Sequence, residues 1–127
     1  MPAYNFQARF AALVESGRKQ QTIRQTAKGA KPGATAYLYT GQRTANCRKL
    51  CEGVITEVRQ IEIGRNGCGE PYANVTGPDG VARHVVHEHL DALAEADGFS
   101  SRAEMIEWFE AQYGLPFRGY LHEWSIK

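Results

Sequence analysis

Val54-Ile55-Thr56-Glu57-Val58-Arg59-Gln60-Ile61-Glu62-Ile63 is an uninterrupted β run, and its second half alternates apolar and polar side chains. A strand cannot satisfy its own backbone groups, so the rest of the chain has to supply neighbours for it. Suitable segments are present. Gln21-Thr22-Ile23-Arg24 reads as a short strand, and Ala36-Tyr37-Leu38-Tyr39 is another, bounded by Pro32-Gly33 and Gly41. Tyr72 to Thr76 and Val81 to Val86 flank Gly77-Pro78-Asp79-Gly80, a hairpin turn sequence. Phe117 to Trp124 closes the set, with Tyr120, His122 and Trp124 on one side and Leu121 on the other.

Helical signals lie at both ends of this β-rich middle. Phe6, Phe10, Leu13 and Val14 recur at helical spacing, and Gly17 follows where a left-handed end is expected. His87 to Ala96 reads as a helix stopped by Asp97-Gly98. Ser101 and Glu104 form a capping box ahead of Met105, Ile106, Trp108, Phe109 and Tyr113, with Gly114, Leu115 and Pro116 ending that helix. Gln25 to Gly33 is a polar loop. Sequential antiparallel strands in so short a chain predict an α+β fold, a small, partly closed β-barrel flanked by helices.

With 127 residues the chain has room for one domain, taken as 1–127. Its 43% apolar and 23% charged content is that of a soluble globular protein. No apolar run approaches the roughly 20 residues needed to span a bilayer. Arg9, Glu15 and Arg18 interrupt the first helix, so it does not read as a signal peptide. Cys47, Cys51 and Cys68 then read as reduced thiols of a cytoplasmic protein.

Charge is distributed unevenly. Residues 1–60 carry +7 and residues 61–127 carry −6. A uniformly basic nucleic-acid binder is excluded; either one face is positive or the two halves interleave in space.

Ser16-Gly17-Arg18-Lys19-Gln20-Gln21-Thr22-Ile23-Arg24 resembles the G-x-K-x-x-T-x-R signature of the ASCH domain, the activating-signal-cointegrator homology family. Phe6 and Phe10 fit the aromatic entry helix of that family. Tyr39-Thr40-Gly41-Gln42-Arg43-Thr44 with Cys47-Arg48-Lys49-Leu50 is similar to a segment of its larger members. Asp97-Gly98-Phe99, Met105, Phe109, Tyr113-Gly114 and Trp124 fit its C-terminal pattern. The resemblance implies a fold like the PUA domains of RNA-modifying enzymes. Family members bind RNA, cleave RNA, or hydrolyse the acetyl group from N4-acetylcytidine, and fold alone does not choose among these.

The hydrolases of the family use a Lys and a Thr of the signature with a later acidic residue. Lys19 and Thr22 occupy the signature positions, and Asp97 is the candidate acid where those enzymes have Glu. The chemistry agrees with the resemblance. Amide hydrolysis needs a nucleophile, a group to deprotonate it and donors for the oxyanion. Threonine supplies a hydroxyl, and a desolvated lysine can act as its base. Asp97 would orient the lysine or the substrate amine, and the fork of Arg24 suits a phosphate or a base edge. Taken singly, these residues read as a surface lysine, a strand threonine and a turn aspartate.

Two further readings stand beside the hydrolase. In a non-catalytic RNA-binding module, Arg24, Arg43, Arg48 and Lys49 would track phosphates, with Lys28 and Lys31 from the loop, while Tyr37 or Tyr39 stacks on bases. In a ribonuclease, Lys19 would act with Tyr39. Both take RNA as partner; the hydrolase takes RNA or a modified nucleoside. No cofactor is expected. His84, His87, His89 and Asp91 crowd together, but Ala92 replaces the further His of binuclear sites, and no C-x-x-C pair is present. Surface histidines and buried thiols are the default expectation. Phosphate-binding glycine loops and serine nucleophile elbows are also missing from the sequence.

Overall fold

The long β run sets the architecture. The computed structural model describes residues 2–27 and 29–126. Its central strand, β4, spans Arg48–Arg65, starting well before the stretch that hydropathy picks out. The added residues include Arg48, Lys49 and Glu52, and only Leu50 and Gly53 among them are buried, so pairing more than burial makes this part a strand. In chain order the other elements are β1 (Ala3–Phe6), α1 (Ala8–Glu15), β2 (Gln21–Arg24) and β3 (Thr35–Thr40) before it. After it come β5 (Pro71–Thr76), β6 (Ala82–His84), α2 (His87–Ala96), α3 (Arg102–Tyr113) and β7 (Phe117–Ile126).

The protein is therefore a mixed α+β fold, a seven-stranded sheet with three helices. β3 and then β5 pair along one edge of β4, and β7 pairs along the other from Gly53↔Ile126 to Ile63↔Phe117. β2 continues the sheet beyond β7, with Thr22 opposite His122 and Arg24 opposite Tyr120. β1 lies parallel to β3. A closed barrel does not form among the described residues, because no ladder joins β1 to β2. A side chain spans that gap instead: Arg24 donates to the Asn5 carbonyl at 3.0 Å.

Phe6 corrects one sequence expectation. It belongs to β1, not to the first helix, because Tyr4 and Phe6 alternate with exposed Ala3 and Asn5 at the strand period. Phe10 and Val14 remain the buried face of α1. The second hairpin arm is shorter than its β-branched sequence suggests; the strand covers only Ala82–His84, and Val81 and Val86 are exposed. The capping box is also altered. Ser101 Oγ accepts from the Glu104 backbone N–H, but Glu104 returns its bond to Ser100. No helix among the described residues is long and apolar enough to cross a membrane.

Candidate active site

A turn delivers Lys19 to the interior. α1 ends at Ser16, Gly17 takes φ +81°, and the Lys19 N–H returns to the Leu13 carbonyl at 3.0 Å. The left-handed glycine reverses the chain at little steric cost. The lysine ammonium then lies 5.2 Å from the centre of the Phe10 ring and 5.7 Å from that of Phe6. Asp97 arrives from the opposite side as the C-cap of α2, with Gly98 at φ +99° turning the chain away. Lys19 Nζ donates to the Asp97 backbone carbonyl at 2.6 Å and to its carboxylate at 3.1 Å. An ammonium at the carbonyl end of a helix is also favoured by the helix dipole.

Only 3% of Lys19 and 5% of Asp97 is exposed. Burial lowers the lysine pKa and raises that of the aspartate, each opposed by attraction to the other's charge. Gln21 adds a hydrogen bond that favours the Asp97 carboxylate. Both shifts favour the uncharged form of each partner, the form in which a lysine can accept a proton. The missing methylene of Asp97 relative to Glu does not prevent contact with Lys19.

β2 places Thr22 and Arg24 on one side of the strand, two residues apart. Arg24 Nε donates to Thr22 Oγ1 at 3.0 Å, and its guanidinium lies over the rings of Phe6 and Tyr4 at 5.1 and 5.6 Å. Because Arg24 occupies a lone pair of the hydroxyl oxygen, the Thr22 proton is left to another acceptor. Lys19, Thr22, Arg24 and Asp97 all line one cavity of about 220 Å³. Phe10, Phe99, Trp108 and Tyr113 wall it, in edge and tilted contacts 5.5 to 6.3 Å apart. Asn5, Gln7 and Gln112 supply amides to the same cavity.

The remaining sequence candidates lie elsewhere. Tyr39, Arg43, Arg48 and Lys49 do not line this cavity. Ala36 and Leu38 turn the other face of β3 inward, which leaves Tyr37 and Tyr39 half-buried on the outer one. Arg48 is paired with Glu15 at 2.6 Å, and Lys49 pairs with Glu52 while lying over the Tyr37 ring. Arg43 is exposed, at φ +66° in the loop after β3. Lys31 is exposed, and Lys28 lies outside the described residues. The two charged halves interleave in part, since Arg9–Glu104, Lys19–Asp97 and Arg59–Glu123 each join one half to the other.

His84, His87 and His89 are exposed as expected, but the thiols are not buried: Cys47 and Cys68 are exposed and Cys51 is half-buried. Cys47 and Cys68 sit in turn-rich loops, where no apolar layer covers them. Among the described residues no group of three or more His, Cys, Asp or Glu side chains is placed to hold a metal ion. A larger, more open concavity of about 510 Å³ lies over Gln60, Glu62, Asn74, Arg118 and Tyr120. It holds no buried ionisable pair, and Glu62 is satisfied by Tyr72 and Arg118.

Trp108 and Tyr113, which the sequence places on the apolar face of α3 with no site role, both line the cavity, and Tyr113 is 42% exposed. The signal was the breadth of the α3 apolar face, wider than one packing stripe requires. Asn5 and Gln112 carried no signal. No family model, curated protein or solved structure matches the chain.

Proposed function

We propose that this chain is an ASCH domain of PUA-like, incompletely closed barrel type, and that its cavity binds an N4-acylated cytidine and hydrolyses the amide. One observation carries the reading: a buried, hydrogen-bonded Lys19–Asp97 pair opens into the same aromatic-walled cavity as the Thr22 hydroxyl and the Arg24 fork. A desolvated, charge-paired lysine facing a cleft beside a hydroxyl and an arginine marks a candidate functional site. At about 220 Å³ the cavity is smaller than the ~300–1,000 Å³ of drug-sized sites, and it suits one planar base with a short acyl group.

In this mechanism Thr22 Oγ attacks the acyl carbon as Lys19, in its neutral form, takes the hydroxyl proton. Arg24 donates to the oxyanion that forms. Collapse expels the exocyclic nitrogen, which receives the proton from Lys19, and cytidine departs. Water then attacks the threonine ester, Lys19 removes its proton, and Thr22 regains a proton as the carboxylic acid is released. Asp97 holds the lysine in place and balances its charge.

The RNA-binding and ribonuclease readings have less support, because Arg43, Arg48, Lys49 and Tyr39 stand away from the cavity and two of these cations are already ion-paired. Cytidine release from N4-acetylcytidine by the purified protein tests the proposal. Turnover is expected, and Thr22→Val, which keeps the β-branched shape, should lose more than about 100-fold. A folded wild-type protein without turnover, or a Thr22→Val protein with full turnover, overturns it.

A further inference from the structure

The cavity lies where two strands approach without pairing. β1 and β2 share no ladder, yet Asn5 and Phe6 from one and Thr22 and Arg24 from the other line the same space. Whatever fixes the separation of these strands fixes the aim of Arg24. His122 stands at that junction. It is 2% exposed on β7, directly opposite Thr22 in the β2–β7 ladder. Its ring touches Tyr4 of β1 edge-on, with Nδ1 2.8 Å from the Tyr4 hydroxyl, and its Nε2 lies 3.0 Å from the carbonyl of Thr26, just beyond β2.

The proton positions follow from the partners. A carbonyl only accepts, so Nε2 carries the hydrogen. A ring kept neutral by burial then presents a lone pair at Nδ1, and the Tyr4 hydroxyl donates to it. Burial pushes the Tyr4 pKa up to about 12, so the phenol keeps the proton it donates. One imidazole thus ties β7 to β1 on one side and to the segment leaving β2 on the other. Tyr4 in turn is a platform for the Arg24 guanidinium, which donates to Thr22 Oγ1 and the Asn5 carbonyl.

We infer that His122 and Tyr4 are positioning residues: together they set the spacing of β1 and β2, and through it the orientation of Arg24 toward Thr22 and the cavity. The effect on turnover rests on the amide-hydrolysis reading above; the orientation of Arg24 does not.

The test separates the two arms of the imidazole. Tyr4→Phe removes only the hydroxyl. His122→Gln still reaches Thr26 but leaves the Tyr4 hydroxyl without its Nδ1 acceptor, whereas His122→Asn keeps an amide near Nδ1 and cannot reach Thr26. In isotope-labelled protein, hydrogen exchange at Arg24 Nε–H reports its bond to Thr22. Exchange should quicken about tenfold in Tyr4→Phe and His122→Gln, the scale of one lost hydrogen bond, and remain near wild type in His122→Asn. The rate of N4-acetylcytidine turnover should fall in the same order. Ile61→Val, a core change with a comparable loss of melting temperature, should leave Arg24 exchange alone. Unchanged exchange in Tyr4→Phe, or an equal effect of Ile61→Val, overturns the assignment. Should the His122 variants fail to fold, Tyr4→Phe decides alone. Wild-type protein inert toward N4-acetylcytidine would remove the hydrolase reading while the exchange comparison still decides this one.

Discussion

Lys19 leaves water by giving its protons twice to one residue, to the backbone carbonyl and to the carboxylate of Asp97. An ion pair held this deep is weak support for stability, since desolvating two charges offsets their attraction. Removing one member is different, because the other is then buried without a partner. Lys19→Met should lower unfolding free energy by about 3 kcal/mol. Lys19→Met combined with Asp97→Leu should recover a large part of that loss, and both proteins should be inert toward N4-acetylcytidine. Urea unfolding of the wild type, both single variants and the double variant closes the cycle. Additive losses would mean that the pair is not coupled, and residual turnover in the double variant would remove Lys19 from the chemistry.

Among elements, β2 depends on a close approach that only glycine permits. A Cβ on Gly119 of β7 would collide with the Arg24 carbonyl and lie 2.7 Å from the Phe117 ring. The first obstacle is backbone, so β2 itself would have to move. Gly119→Ala should cost about 1–3 kcal/mol and lower turnover as well, because Thr22 and Arg24 ride on that strand. Gly64→Ala offers the contrast: its Cβ would meet the Tyr72 phenol, on a strand that carries none of these groups. It should destabilise while sparing kcat/KM in the folded protein. Equal kinetic losses in the two variants would contradict the role given to β2. The same comparison shows what the sequence made legible. β2, α2 and the arrival of Lys19, Thr22, Arg24 and Asp97 at one place were readable from local pattern and from the resemblance. β1 was not, because the four-residue spacing of Phe6 and Phe10 imitates a helix. Nor was the start of β4, where Arg48, Lys49 and Glu52 break the apolar pattern. Asn5 and Gln112 join the cavity through tertiary packing, which leaves no mark on the residues beside them in the chain.

At the scale of the whole molecule, three interior groups tie stability to pH. Most of its ion pairs, such as Arg48–Glu15 and Arg83–Asp79, are exposed and screened by solvent, so they add little to stability. Lys19, Asp97 and His122 are buried. Burial lowers the His122 pKa from 6.5, with Arg24 pushing the same way and the bond to Thr26 opposing. The unfolded chain therefore binds a proton at 6.5 that the folded protein refuses. The stability owed to neutral His122 is complete above 6.5 and is lost as pH falls through it toward the folded value. Asp97 acts in the opposite sense. Its pKa is raised from 3.8, so the folded state takes up its proton first and acid favours the fold at that site. Lys19, lowered by burial, acts in the same direction as His122. Melting temperature should accordingly drop as buffers are taken below 6.5. His122→Gln should flatten that drop, while the Lys19→Met, Asp97→Leu protein should retain it. An acid slope untouched by His122→Gln would mean that the ring is already charged in the folded protein. Nδ1 could not then accept from Tyr4, and the link that orients Arg24 would be lost.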